Sequence, residues 1–235
     1  MVDRTAHTSV PIHPPIAARW SPRAFDPDAV IDPEDLTALL EAARWSATWG
    51  HREPVRYLVG LRGREEQKGH RGGEEQKGYR GRKEQKGYRG RKEQMGYRGG
   101  EEQEGFRGGE TFTTLAGLLK RGNSYAKAAG ALILVCADEG EDERTARYAA
   151  VDVGAAIASL SIEAVSRGLV VHPMAGFDTV AAAELTPGLR PFAVVAVGTL
   201  GDYTRADEAI VERDHRPRER LGLDRLVLNW ASGAR

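Results

Sequence analysis

The chain runs to 235 residues, and its 34 basic and 34 acidic side chains cancel. That length allows one domain with a full core, and the balance gives no global field to draw nucleic acid or a membrane surface. A lone cysteine, Cys136, excludes an internal disulfide; set inside the apolar run ALILVCA, it reads as a buried structural thiol in a reducing compartment.

The opening MVDRTAHTSVPIHPP lacks the apolar core of a signal peptide, and Pro11, Pro14 and Pro15 oppose regular structure. No apolar run approaches the roughly 18 residues a membrane helix needs. A soluble, cytoplasmic protein is expected. Residues 16–19 suit a helical turn. In Arg19-Trp20-Ser21-Pro22-Arg23 two guanidiniums then surround a hydroxyl. The arginine forks and the serine suit a phosphate, although such a string also serves as a solvated surface turn.

Asp32-Pro33-Glu34-Asp35 reads as a helix start, with an aspartate N-cap and proline at the first helical position. Leu36, Leu39, Leu40 and Ala43 give this helix one apolar face, which runs out near Ser46. A polar turn over 48–53 leads into a strand over 55–61. Thr48, His51 and Glu53 in that turn can aim side chains at a ligand or simply make a surface connection.

Residues 63–107 are different material. GREEQKGHR, GGEEQKGYR, GRKEQKGYR, GRKEQMGYR and GGEEQEGFR repeat with a period of about nine, which is neither helical nor heptad. Glycine and polarity oppose a core there, so a low-complexity insertion in a surface loop is expected. Its basic, aromatic and glycine texture is that of single-strand nucleic-acid binders, but the interleaved glutamates oppose that use.

A helix over 111–121 and a further turn over 123–129 precede an interior strand over 131–137. Asp142 then caps a long helix over 144–167 that Gly168 ends. Small and apolar residues wrap most of its circumference, so the helix is expected to be buried, and Gly154, Ala155 and Ala156 would let another helix approach closely. A short strand over 169–172 leads to the turn Pro173-Met174-Ala175-Gly176. A short helix over 179–185, a strand over 192–197 and a basic tail with Arg216, Arg218 and Arg220 complete the chain. No pair of its histidines has the spacing of metal ligands, and no metal site is expected.

Four stretches together resemble the nitroreductase family, FMN-dependent oxidoreductases that are usually intertwined homodimers. They are RWSPRAFDPD; AARWSATWGHREPVRYLVG; Asp152-x-Gly154 running through GLVVHPMAGFD; and RPRERLGLDRLV. The resemblance implies an α+β fold, a central mixed sheet flanked by helices with a long dimer-core helix, in one domain spanning 1–235 that carries the repeat as an insertion. It implies that Arg19, Trp20, Ser21 and Arg23 lie at the FMN phosphate and ribityl groups, and that Arg218 and Arg220 complete the phosphate site. Thr48, His51 and Glu53 would face the flavin ring, and Ala175 and Gly176 would offer N–H groups near flavin N5.

The second stretch departs from the family pattern. His51 stands at the usual asparagine, Glu53 at the glutamine and Val55 at the tryptophan, so recognition of the ring is altered. The function implied is a ping-pong transfer of hydride from NAD(P)H through flavin N5 to a nitroarene, quinone or enone, with no protein nucleophile. One rival is a flavin-holding protein with little turnover; another is an interaction protein acting through the repeat.

Overall fold

The computed structural model describes residues 4–63 and 108–229, so the repeat expected as an insertion lies outside the described residues. Four strands form one sheet: β1 (Val55–Leu61), β2 (Ala131–Ala137), β3 (Val170–Met174) and β4 (Arg190–Gly198), in the order β1-β2-β4-β3. β1 and β2 match the sequence expectation residue for residue.

β2 alternates between two cores. Ala131, Ile133, Val135 and Ala137 face α2 (Pro33–Arg44) and α4 (Glu143–Ser166). Leu132, Leu134 and Cys136 face α3 (Gly108–Leu118), a 3-10 helix (Arg121–Ala128) and α5 (Thr179–Leu185). Helices therefore cover both faces of the sheet. Each fully buried Leu or Ile adds about 1.5–3 kcal/mol of transfer free energy, and Leu36, Leu39, Leu115 and Ile133 are all wholly enclosed. The expected α+β class holds.

The pairing differs from the mixed sheet expected, because β1–β2, β2–β4 and β3–β4 are all antiparallel. The α4 crossover does send β3 parallel to β2. β4 fills the slot between them and runs against both.

α1 (Pro14–Ala18) begins on the prolines expected to oppose structure, since proline costs nothing at a first turn whose N–H groups have no helical acceptor. The expected turn at Pro173 is the fourth residue of β3. β3 lies at the edge of the sheet, where a residue lacking an N–H is tolerated.

In α4 the Asp142 carboxylate accepts from Thr145 N, and Gly168 takes φ 77 just past its end. An 18-residue window of this 24-residue helix has mean hydropathy 1.5, so by length and composition alone the helix could cross a membrane, although Asp152 and Glu163 interrupt its apolar run. It is also not buried all round. Leu160, Ala156 and Val153 pack inward, whereas Val151, Gly154 and Ala158 lie exposed along the other side, Val151 at 60%. Small side chains wrap this helix, but the chain covers only one face of it.

Tail helices α6 (Glu208–His215) and α7 (Leu223–Leu226) return the C-terminal segment to the start of the chain.

Candidate functional site

The two ends of the chain meet around Arg19. Ala6 N donates to Ala17 O at 2.9 Å, which lays the N-terminal segment along α1. From there Arg4 Nη1 donates to Arg216 O at 2.8 Å. Arg218 Nη2 donates to Arg19 O at 2.9 Å, and its Nη1 donates to Arg4 O. Arg19 Nη1 donates to Ser21 Oγ at 3.3 Å. The Arg4 guanidinium sits 5.2 Å over the Trp20 ring, which lies 6.5 Å from Tyr203.

The charges acting here are all of one sign. Burial and then Arg220 pull Arg19 below the ordinary arginine range; burial and then Arg19, Arg4 and Arg220 do the same to Arg218. Arg4 Nε is buried with no hydrogen-bond partner among the described residues. Such a group of guanidiniums is short of acceptors and of negative charge.

Arg23, expected beside the phosphate, has an internal partner instead. Its Nη1 and backbone N each reach Asp214 at 2.6 Å, and Tyr203 O–H donates to the same carboxylate at 2.6 Å. Asp214 is only 1% exposed and clamps α6 against the RWSPR segment. Burial, then this contact, raises the Tyr203 phenol well above its ordinary range. Asp214, one of three acids among the bases of VERDHRPRER, carries no local signal of that role. Arg4, in the irregular opening segment, is equally silent in the sequence.

The turn after α2 forms a separate place. Thr48 precedes a 3-10 turn, Trp49–His51, whose first N–H donates to the buried Asp152 carboxylate of α4 at 3.1 Å. The Trp49 ring stacks on Tyr148 at 4.7 Å, with the Arg144 guanidinium 5.1 Å over it. Glu53 follows with φ 48, a backbone region that non-glycine residues rarely adopt. Its side chain is exposed, and its carbonyl accepts from Arg56 Nη1 at 2.8 Å. Thr48, Glu53, Arg44, Arg56, Leu40 and Tyr57 line a groove of about 490 Å³ between α2 and β1. Burial pushes the Tyr57 phenol up to about 12.

The glycine turn is held from the 3-10 helix. Lys120 N and Asn123 Nδ2 both donate to Gly176 O at 3.0 Å. The N–H groups of Ala175 and Gly176 have no acceptor among the described residues. A Cβ at Gly176 would come within 2.5 Å of Asn123 Nδ2, the end of a side chain that would have to leave its contacts to make room.

Arg19, Ser21, Arg218 and Arg220 thus come together, with Trp20 alongside. Thr48 and Glu53 gather elsewhere, and no hydrogen bond or ion pair joins the two groups among the described residues.

A model of the nitroreductase family matches residues 16–202. An uncharacterized 15.4 kDa protein of Mycolicibacterium smegmatis is 74% identical over 125 residues, 52% of this chain and 85% of that protein. Among solved structures, an oxidoreductase containing FMN superposes with TM-score 0.69 at 22% identity over 100% of both chains. An FMN complex from Exiguobacterium sibiricum gives 0.62 at 16% identity, covering 97% of this chain and 100% of that one. At such identities the solved structures speak for the fold, whereas the family match spans most of the sequence, from α1 to beyond β4. The chain belongs to the nitroreductase family.

Proposed function

We propose that the protein is an FMN-dependent oxidoreductase that carries hydride from NAD(P)H to a nitroaromatic, quinone or enone acceptor in ping-pong fashion. The observation that carries this reading is the guanidinium group from both chain ends, whose mutual repulsion and orphaned Arg4 Nε call for an anion rich in acceptors. A phosphate fits that donor set, because arginine forks match its oxygens and Ser21 can add a hydroxyl. FMN, when bound, supplies hydride acceptance and return at N5.

The chain's own residues bind and orient. Arg19, Arg218, Arg220 and Arg4 hold the phosphate. The N–H groups of Ala175 and Gly176, without an acceptor among the described residues, would donate to the ring. Thr48, His51 and Glu53 flank the ring, on a turn fixed by Asp152. No side chain is needed as nucleophile or metal ligand.

The working unit is a homodimer. Exposed Val151, Gly154 and Ala158 form a strip on α4, and among the described residues a Cβ at Gly154 would meet nothing within 4 Å beyond its own helix. Its smallness therefore serves no purpose inside the protomer, whereas a second α4 can approach closely there. A pairing across α4 also brings two separate half-sites into reach of each other. The buried acid Asp152 on α4, engaged by Trp49, favours a core helix over a membrane span.

Anaerobic titration tests the activity. The purified protein is expected to be yellow, to bleach with NADPH or NADH, and to regain colour with a nitroarene or quinone. A yellow protein that neither nucleotide bleaches would mean flavin holding without turnover. A colourless protein that takes up no FMN would refute the reading.

A further inference from the structure

Between the RWSPR segment and the glycine turn runs a line of polar contacts, flanked by Arg23 and Asp214. Pro22 O lies 2.9 Å from His172 Nδ1. His172 Nε2 lies 3.1 Å from Tyr125 O–H, which is 3.3 Å from Asn123 Oδ1. Asn123 Nδ2 then donates to Gly176 O at 3.0 Å. His172 is 9% exposed, and its ring meets that of Tyr125 at 5.2 Å.

The chemistry fixes most of the protons. A proline carbonyl only accepts, so His172 Nδ1 carries a hydrogen. Asn123 turns its amino group to Gly176 O, which leaves Oδ1 toward Tyr125. The phenol has one hydrogen for two acceptors, His172 Nε2 and Asn123 Oδ1, and serves them in turn while the imidazole is neutral. Every link is thereby tied to its neighbours, and Asn123 cannot swing aside without breaking two contacts.

We propose that His172, Tyr125 and Asn123 are positioning residues that set the Gly176 turn relative to the RWSPR segment. The inference rests on the proposed function, in which the arginines beside that segment hold the phosphate and the turn meets the ring. Along this line the two ends of one cofactor are placed by one set of hydrogen bonds. A Cβ at Gly176 would then act on the turn through Asn123, whose amide occupies that place.

Measuring FMN affinity for Gly176→Ala, Asn123→Ala and the double variant tests this. Losing a single neutral hydrogen bond costs about threefold to tenfold in an equilibrium. Asn123→Ala, which removes both contacts, and Gly176→Ala, which forces Asn123 out of them, are each expected to weaken FMN about threefold to tenfold. The double variant should be no weaker than Asn123→Ala alone, because the clash is gone. A double variant as weak as the two single losses multiplied would overturn the inference.

Should the wild-type protein take no FMN, the proposed function is what fails. The same cycle is then read from amide exchange at Phe177, whose N–H donates to Ala175 O at 3.2 Å. Should Gly176→Ala not fold, Tyr125→Phe decides. Faster exchange at Phe177 is expected, and an unchanged rate would overturn the inference.

Discussion

The ends of the chain and the turn after α2 treat charge in opposite ways. Arg4, Arg19, Arg218 and Arg220 are crowded together; Arg19 and Arg218 are partly buried, and burial and then their like-charged neighbours pull both below the ordinary arginine range. Glu53 stands in water among Arg44 and Arg56, where solvent screens every interaction. The first arrangement opposes folding until an anion relieves it; the second costs little either way. Binding energy is therefore concentrated at the termini, and the turn can only adjust what is bound there. Since the two lie apart within one chain, the contrast also bears on assembly.

The largest expected effect separates assembly from folding. Gly154→Leu should leave the protomer folded, because among the described residues nothing beyond the helix's own backbone lies within 4 Å of the added Cβ. Dimer formation and FMN loading should fall together, by about a hundredfold or more if close helix approach contributes about 3 kcal/mol. Light scattering and flavin absorbance on one sample check this. A dimeric, flavin-loaded variant would place the contact between copies elsewhere.

Arg218→Ala comes next. Loss of a charge-assisted contact is worth about 1.5–3 kcal/mol, or roughly tenfold or more in FMN affinity. In the absence of FMN the relief of one like charge is set against the loss of the Arg218 hydrogen bonds to Arg19 O and Arg4 O, so stability should change less than FMN affinity. Inorganic phosphate should accordingly raise the melting temperature of the wild type more than that of Arg218→Ala. Equal increments would put the anion site somewhere else.

A smaller effect concerns pH. Burial holds His172 below its ordinary value of about 6.5, against the pull of the Pro22 carbonyl. Arg23, Arg19 and Asp214 are the charged groups that act on it. The unfolded chain takes up a proton near pH 6.5 while the folded one stays neutral. The stability is therefore complete above that pH and is lost as pH falls toward the native value. The fall in melting temperature from pH 7 to pH 5 should be shallower in His172→Gln. The same slope in both proteins would show that His172 does not report on folding.

Glu53→Gln should give the smallest change. An exposed carboxylate about 5 Å from the ring, at the dielectric of water, shifts a two-electron potential by about 20 mV. The variant is expected to raise the potential of bound FMN by that amount. A lower potential in the variant would remove Glu53 from the ring's surroundings.

Local chemistry made much of this protein legible. Asp32 and Asp142 as N-caps, the alternation within β2 and Gly168 at the end of α4 all follow from neighbours in sequence. Arg19, Ser21, Arg218 and Gly176 were reachable because their spacing resembles a family pattern. Asp214, Asp152, Arg4 and Asn123 were not. Each acts on a residue far along the chain: Asp214 on Arg23, Asp152 on Trp49, Asn123 on Gly176. Nothing beside an aspartate in sequence says which distant N–H it will meet. The exposed strip on α4 misled for a related reason, since small residues suit a buried helix and a helix awaiting a second copy equally well.

The most direct test of the arginine cluster compares FMN with riboflavin, which has the same ring and ribityl chain but no phosphate. If the guanidiniums at the two chain ends hold the phosphate, several charge-assisted bonds are at stake. The apoprotein should then bind FMN at least about a hundredfold more tightly than riboflavin, with the advantage shrinking as salt is raised. Equal affinity for the two flavins would contradict the assignment of Arg4, Arg19, Arg218 and Arg220 to the phosphate.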